Sequence, residues 1–325
     1  MPPAALPSVD LRFRIRVDVE PELEFLGPTV RGLLGHGLRQ VACTHGGHGS
    51  ERCAAGARCA YARLFEGATA RSALVPGPDG LTPPAPLVVE LDAPFAARPV
   101  AEDGTIGFCV RVFGSAILDA DHIIEAVAAR QRSGFGARSS RYDLVSLRRE
   151  DSTQADSVQL RDRGEVIFDF LTPLSLRHGQ RPEQSIDANR LVEAARRRDW
   201  VMRVLYGHDD EAAAMGPPGP TVDGDFTMVA QTTRRWAMSR RSGRQSRAVP
   251  MEGLLGRVVL AGDWRKEQWL PTIERLHVGK YAIFGFGRAR VQKPLDNMFG
   301  WEPTPFGAPE GSPTRGVPKN GPLSL

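Results

Sequence analysis

The chain has 325 residues, 41% of them hydrophobic, and 42 lysines and arginines against 38 acids give a net charge of +4. That length is a prior for two domains, and the apolar share can fill two cores. Neither a signal peptide nor an apolar run of membrane-spanning length is present, so a membrane-embedded helical protein is excluded, and the expectation is a cytoplasmic chain whose four cysteines are reduced or metal-bound.

Residues 11–19, Leu-Arg-Phe-Arg-Ile-Arg-Val-Asp-Val, alternate apolar and charged side chains. This is the period of a strand with one face in a core. Arg12, Arg14 and Arg16 share the other face, either as a solvated surface or as a basic sheet surface for RNA. After Pro28, the residues Val30, Leu33, Leu34, Leu38 and Val41 form one stripe and predict a short helix over 30–42 despite Gly32, Gly35 and Gly37. His36 falls off the stripe and is expected to face outward.

Cys43, His45, His48, Cys53 and Cys59 follow within a short span. Cys43, Cys53 and Cys59 with a histidine can supply a four-ligand structural zinc, but no Cys-x-x-Cys pair is present, so unligated thiols in a surface loop are the alternative. Catalytic zinc is not expected, because no His-Glu-x-x-His arrangement occurs. A Gly-, Ala- and Pro-rich loop over 67–86 leads to expected strands at 87–91 and 106–113, a helix at 116–131 and a strand at 142–148. The order is β-α-β-β-α-β, that of a ferredoxin-like domain.

A polar link at 149–164 precedes a second such series. Val166, Phe168 and Phe170 alternate, residues 188–206 read as a strong helix, and Pro217 to Pro220 break the chain. Strands at 226–233 and 254–261, a helix near 266–275 and a strand at 281–291 complete it. Between those strands, residues 231–250 hold six arginines, Arg234, Arg235, Arg240, Arg241, Arg244 and Arg247, and no acid. This is a local basic face for RNA, or an arginine loop that takes no order without it. The Pro- and Gly-rich tail is expected to be disordered.

The fold class expected is therefore α+β, two tandem ferredoxin-like domains. Their bounds are 1–150, with the Cys/His loop at 43–61, and 151–293, with a glycine-rich loop at 277–288; the tail is 294–325. In that loop Gly279, Gly285 and Gly287 lie among Lys280, Arg288 and Arg290, which reads as a phosphate-binding turn. It is neither a dinucleotide fingerprint, since no third glycine stands at the right spacing, nor a mononucleotide P-loop, since Glu274 and Tyr281 occupy the diagnostic positions. Residues 115–148 and 264–291 share the order helix, Gly-Phe-Gly, arginine, strand, which suggests a duplicated unit.

The segments Val-Arg-Gly-Leu-Leu-Gly at 30–35, Cys-Ala-Tyr-Ala-Arg-Leu-Phe-Glu at 59–66, Phe-Leu-Thr-Pro-Leu-Ser-Leu at 170–176, Ser-Gly-Arg-Gln at 242–245, Met-Glu-Gly-Leu-Leu-Gly at 251–256 and Leu-His-Val-Gly-Lys-Tyr-Ala-Ile-Phe-Gly-Phe-Gly at 276–287 together carry a resemblance. From about residue 11 to 292 the chain resembles the precursor CRISPR-RNA processing endoribonucleases of the RAMP superfamily. It departs from their common four-cysteine pattern, because Ser50 stands where a cysteine is expected.

The resemblance implies binding of CRISPR repeat RNA and one cut per repeat with no metal or other cofactor. The 2′-hydroxyl attacks the adjacent phosphate and leaves a 2′,3′-cyclic phosphate. Histidine suits the proton transfers. His36 is the first choice for general base, with His45 and His48 behind it, and an arginine or lysine cluster is the alternative. His277 and Lys280 match the family's glycine-loop motif and are expected at the RNA backbone together with Gly279, Gly285, Gly287 and Arg288. Arg240, Arg241, Arg244 and Arg247, with Arg234 and Arg235, are candidates for a hairpin stem. Two other roles share these features: a non-catalytic RAMP-type subunit that binds crRNA beside other subunits of an effector complex, and a metal-containing RNA-binding module.

Overall fold

The computed structural model describes residues 6–19, 21, 25–43, 56–67, 71, 74–75, 83–95, 100–101, 103–136, 139–152, 162–178, 181–182, 184–222, 224–242, 247–267 and 269–294. Its first half comprises β1 (Ser8–Val17), α1 (Gly27–Ala42), α2 (Ala60–Glu66), β2 (Leu87–Leu91), β3 (Thr105–Phe113), α3 (Ala120–Ala129) and β4 (Tyr142–Ser152). The sheet order is β2-β3-β1-β4, all antiparallel.

The second half comprises β5 (Arg163–Leu174), a short ladder of β6 (Arg177–His178) and β7 (Arg181–Pro182), α4 (Ala188–Tyr206), α5 (Asp210–Met215), β8 (Phe226–Ser242), β9 (Arg247–Asp263), α6 (Ile273–Leu276) and β10 (Ala289–Gln292). Its sheet runs β10-β5-β9-β8. Both halves thus have the same ferredoxin-like topology, an α+β fold built twice. No helix among the described residues is long and apolar enough to cross a membrane.

The alternation of β1 decides its two faces. Val9, Leu11, Phe13 and Ile15 are buried against α1 and α3 in the first core. On the other face Arg12 reaches Glu150 at 3.0 Å and Asp10 at 3.2 Å, and Arg14 reaches Asp103 at 3.4 Å. Arg12 and Arg14 are therefore partnered by acids of their own chain. The second core gathers Val166, Phe168 and Phe170 of β5 with Leu191, Val201 and Leu205 of α4.

The two cores interlock. Val88 and Phe113 from the first sheet join the second core, while Trp236, Met251, Leu255, Phe284 and Phe286 of the second half join the first.

The second half differs from expectation in three places. The arginine segment belongs to a long hairpin, because β8 and β9 pair from Phe226↔Gly262 to Ser242↔Arg247. Trp236 and Met238 insert into the first core on one face of β8, so the strand is held well past the expected end at residue 233. The helix expected near 266–275 shrinks to Ile273–Leu276, and the strand expected at 281–291 is only Ala289–Gln292. Tyr281, Gly285 and Gly287 have φ of +72°, +87° and +71° and turn the chain repeatedly before that strand can start.

Candidate nucleic-acid interface

The glycine turn packs against its own chain. A Cβ on Gly287 would stand 1.8 Å from the Val278 carbonyl oxygen, one on Gly285 2.7 Å from that of Val89, and one on Gly279 2.6 Å from that of Ser175. These glycines are required by close backbone approaches inside the protein.

His277 is enclosed beside them. It is 0% exposed, with Nδ1 3.1 Å from the Phe286 carbonyl oxygen and Nε2 3.4 Å from Glu90, so its ring cannot reach an RNA backbone. Arg288 is turned inward, donating to the Leu91 carbonyl at 3.2 Å and lying 3.4 Å from Glu90. Around them Arg111 pairs with Glu90 and, at 2.7 and 2.8 Å, with Asp10. The turn is thus a charged, buried joint between the halves. Lys280 remains at its surface, its Nζ 4.7 Å from the centre of the Tyr281 ring.

An open, basic face lies on α1. Val30, Leu33, Leu34 and Leu38 go into the core, and Gly37 lets α3 come close, since its Cβ would stand 2.4 Å from the Ala126 carbonyl oxygen. His36 points the other way and is exposed. Partial desolvation, reinforced by the positive charges of Arg130 and Arg39, lowers its pKa below the ordinary imidazole value. This direction favours the uncharged ring, the form that accepts a proton. Arg130 donates to the Ser133 carbonyl at 3.4 Å, and its Nε is enclosed with no hydrogen-bond partner among the described atoms.

Aromatic rings carry this basic face toward the second half. Arg39 lies 4.9 Å from the Tyr61 ring centre, and Arg31 lies 4.1 Å from Phe65 and 4.5 Å from Phe284. Arg240 of β8 rests on the same Phe284 ring at 4.8 Å. Stacking of this kind orients planar guanidinium groups. Phe284 belongs to the glycine turn, so the turn serves the surface through its ring.

Of the other expected residues, Arg234 and Arg235 are exposed on β8, with Arg235 paired to Glu252. Arg241 and Arg247 lie in the hairpin strands. Arg244, His45, His48 and Cys53 lie outside the described residues. Cys43 ends α1, and Cys59 begins α2 with its Sγ 3.8 Å from the Ala42 carbonyl oxygen, so two expected metal ligands come from one neighbourhood. The described residues contain no cluster of three or more metal-binding side chains.

Arg31, Arg39 and Arg130 were not legible as site residues. Arg39 and Arg31 are ordinary helix positions in sequence, and Arg130 comes from the end of α3. The arrangement offers an exposed imidazole on which two arginine charges act.

A family model, the AF_1859_N N-terminal domain, matches residues 6–169, just over half of the 325 residues. The chain belongs to this family. The matched part of this AF_1859_N member runs from before β1 into β5 and contains the whole α1 face. No curated protein matches the chain.

Solved structures do match this AF_1859_N member. A Cas6 product complex aligns with a TM-score of 0.51 at 14% identity, covering 89% of this chain and 100% of that one. Thermus thermophilus Cas6 aligns at 0.49 and 12%, with coverage of 89% and 100%. A partial Cas6-RT-Cas1–Cas2 complex aligns at 0.50 and 11%, covering 90% of this chain and 47% of that one. The first and third likenesses establish a shared Cas6-like fold.

Proposed function

We propose that this protein binds CRISPR repeat RNA and cleaves it without a metal, through attack of a 2′-hydroxyl on the neighbouring phosphate. The observation that carries this reading is His36, exposed on α1 with the positive charges of Arg39 and Arg130 acting on its ring. His36 takes the 2′-hydroxyl proton, the oxygen attacks in line, the bond to the 5′-oxygen breaks as that oxygen takes a proton from solvent to leave as a 5′-hydroxyl, and a 2′,3′-cyclic phosphate forms. Arg39 and Arg130 meet the charge that grows on the phosphorane oxygens. The ring-held arginines Arg31 and Arg240, from the proposed domains 1–150 and 151–293, lay the strand across the joint between them.

The test is to incubate the purified protein with a repeat RNA in EDTA and identify the ends. A 2′,3′-cyclic phosphate and a 5′-hydroxyl support the nuclease. Tight binding with intact RNA would instead assign the chain as a non-catalytic RAMP-type subunit of an effector complex, and a requirement for metal would place the Cys43 and Cys59 region at the centre.

A further inference from the structure

Helix α1 contains Gly27, Gly32, Gly35 and Gly37. A glycine within a helix costs about 0.5–1 kcal/mol relative to alanine, so each calls for a reason. For three of them the reason is packing. A Cβ on Gly27 would stand 1.9 Å from the Phe284 carbonyl oxygen, one on Gly35 2.5 Å from the Phe65 ring, and one on Gly37 2.4 Å from the Ala126 carbonyl oxygen. Gly32 has no such reason: no described atom lies within 4 Å of where its Cβ would be, and its backbone is ordinary helix.

Its position supplies another reason. Thr29, Gly32, His36 and Arg39 follow one another at helical spacing and share one side of α1. The chain leaving α3 passes that side in the opposite direction: the charge of Arg130 acts on His36, and a Cβ on Gly136 would stand 3.6 Å from Thr29 Cγ2. Gly32 therefore presents bare helix backbone one turn from the imidazole, with no described side chain packed over it.

We propose that the sugar-phosphate backbone of the bound strand makes its closest approach to the protein at Gly32, and that the missing side chain sets the depth at which the 2′-hydroxyl meets His36. This rests on the RNA-cleaving reading above and makes Gly32 a positioning residue. Alanine or leucine there would leave the fold intact but lift the strand away from the base, and a displacement of about 1 Å from attack geometry can cost about 100-fold in rate.

The experiment compares wild type, Gly32→Ala and Gly32→Leu for thermal unfolding, repeat-RNA affinity and single-turnover cleavage at saturating RNA. The expected result has opposite signs: Gly32→Ala melts at or above the wild-type temperature, yet cuts about tenfold more slowly, and Gly32→Leu cuts about 100-fold more slowly. Cleavage by Gly32→Leu within about threefold of wild type would overturn the proposal, as would a lowered melting temperature for Gly32→Ala, which would mean a packing role. If wild type itself neither binds nor cuts the RNA in this assay, the RNA-cleaving reading fails and the proposal falls with it.

Discussion

His277 sets Nε2 3.4 Å from a carboxylate oxygen of Glu90 while its Nδ1 faces the Phe286 carbonyl at 3.1 Å, the ring being wholly enclosed. This contact joins the glycine turn of the second half to β2 of the first. Burial, with the nearby charges of Arg111 and Arg288, holds the imidazole below its ordinary value of 6.5 even beside Glu90. A base whose pKa is depressed by folding stabilises the folded state above its unfolded pKa and loses that contribution as pH falls through the window below it. Urea midpoints should therefore drop as the pH is lowered from 7 through 6, and His277→Ala should flatten this part of the profile. A midpoint that rose on acidification would mean that the imidazolium bridges Glu90 and Phe286.

Glu90 adds a second, more acidic step. Its burial works to raise the carboxyl pKa, but the hydrogen bond with His277 and the charges of Arg111 and Arg288 outweigh that and hold it well below the ordinary carboxylate range. Its contribution is complete above its unfolded value and is lost as pH falls further. Glu90→Ala leaves the Arg111 guanidinium, whose side chain is 8% exposed, short of one carboxylate, and should cost about 3–5 kcal/mol in equilibrium unfolding. Loss of less than about 1 kcal/mol would show that the joint is held by its apolar contacts alone.

Gly287→Ala tests why the turn is glycine-rich. Its φ is +71° and an added Cβ would meet the Val278 carbonyl oxygen at 1.8 Å, so strain and steric overlap together should cost about 3 kcal/mol. Gly219, with open space around it, should accept alanine within about 0.5 kcal/mol. Equal effects at the two positions would contradict the packing role.

Much of this architecture could be read from hydrophobic period. β1 alternates from Leu11 to Arg16 and α4 matches 188–206 to the residue, because each presents one apolar face to one core. The hairpin was underestimated because Trp236 and Met238 are interleaved with arginines, and the core they enter belongs to the other half. The glycine turn is ambiguous in sequence for a different reason. Glycine beside lysine and arginine looks the same whether the close neighbour is a phosphate or a carbonyl of the same chain. His36 could be placed outward because it lies off the apolar stripe of its helix, but the charges that lower its pKa come partly from Arg130, ninety-four positions away.

That charge gives a kinetic prediction. With Arg130→Ala, His36 loses one of the neighbours that disfavour its cationic form, so its pKa should rise toward the ordinary value and the acid limb of the cleavage profile should move to higher pH. An unmoved limb would detach His36 from the rate.

Arg240 should act on binding instead. Arg240→Ala removes the guanidinium stacked on Phe284 and should reduce the slope of log affinity against log salt by about 0.7–0.9, the signature of one lost phosphate contact. An unchanged slope would place the RNA off this ring.

The most direct measurement is single-turnover cleavage of a repeat RNA in EDTA by wild type and His36→Ala, with RNA affinity measured alongside. Wild type should release a 2′,3′-cyclic phosphate end, and His36→Ala should bind nearly as well while cutting slower by about tenfold or more. Equal rates for the two proteins would remove His36 from the chemistry and contradict the proposed mechanism.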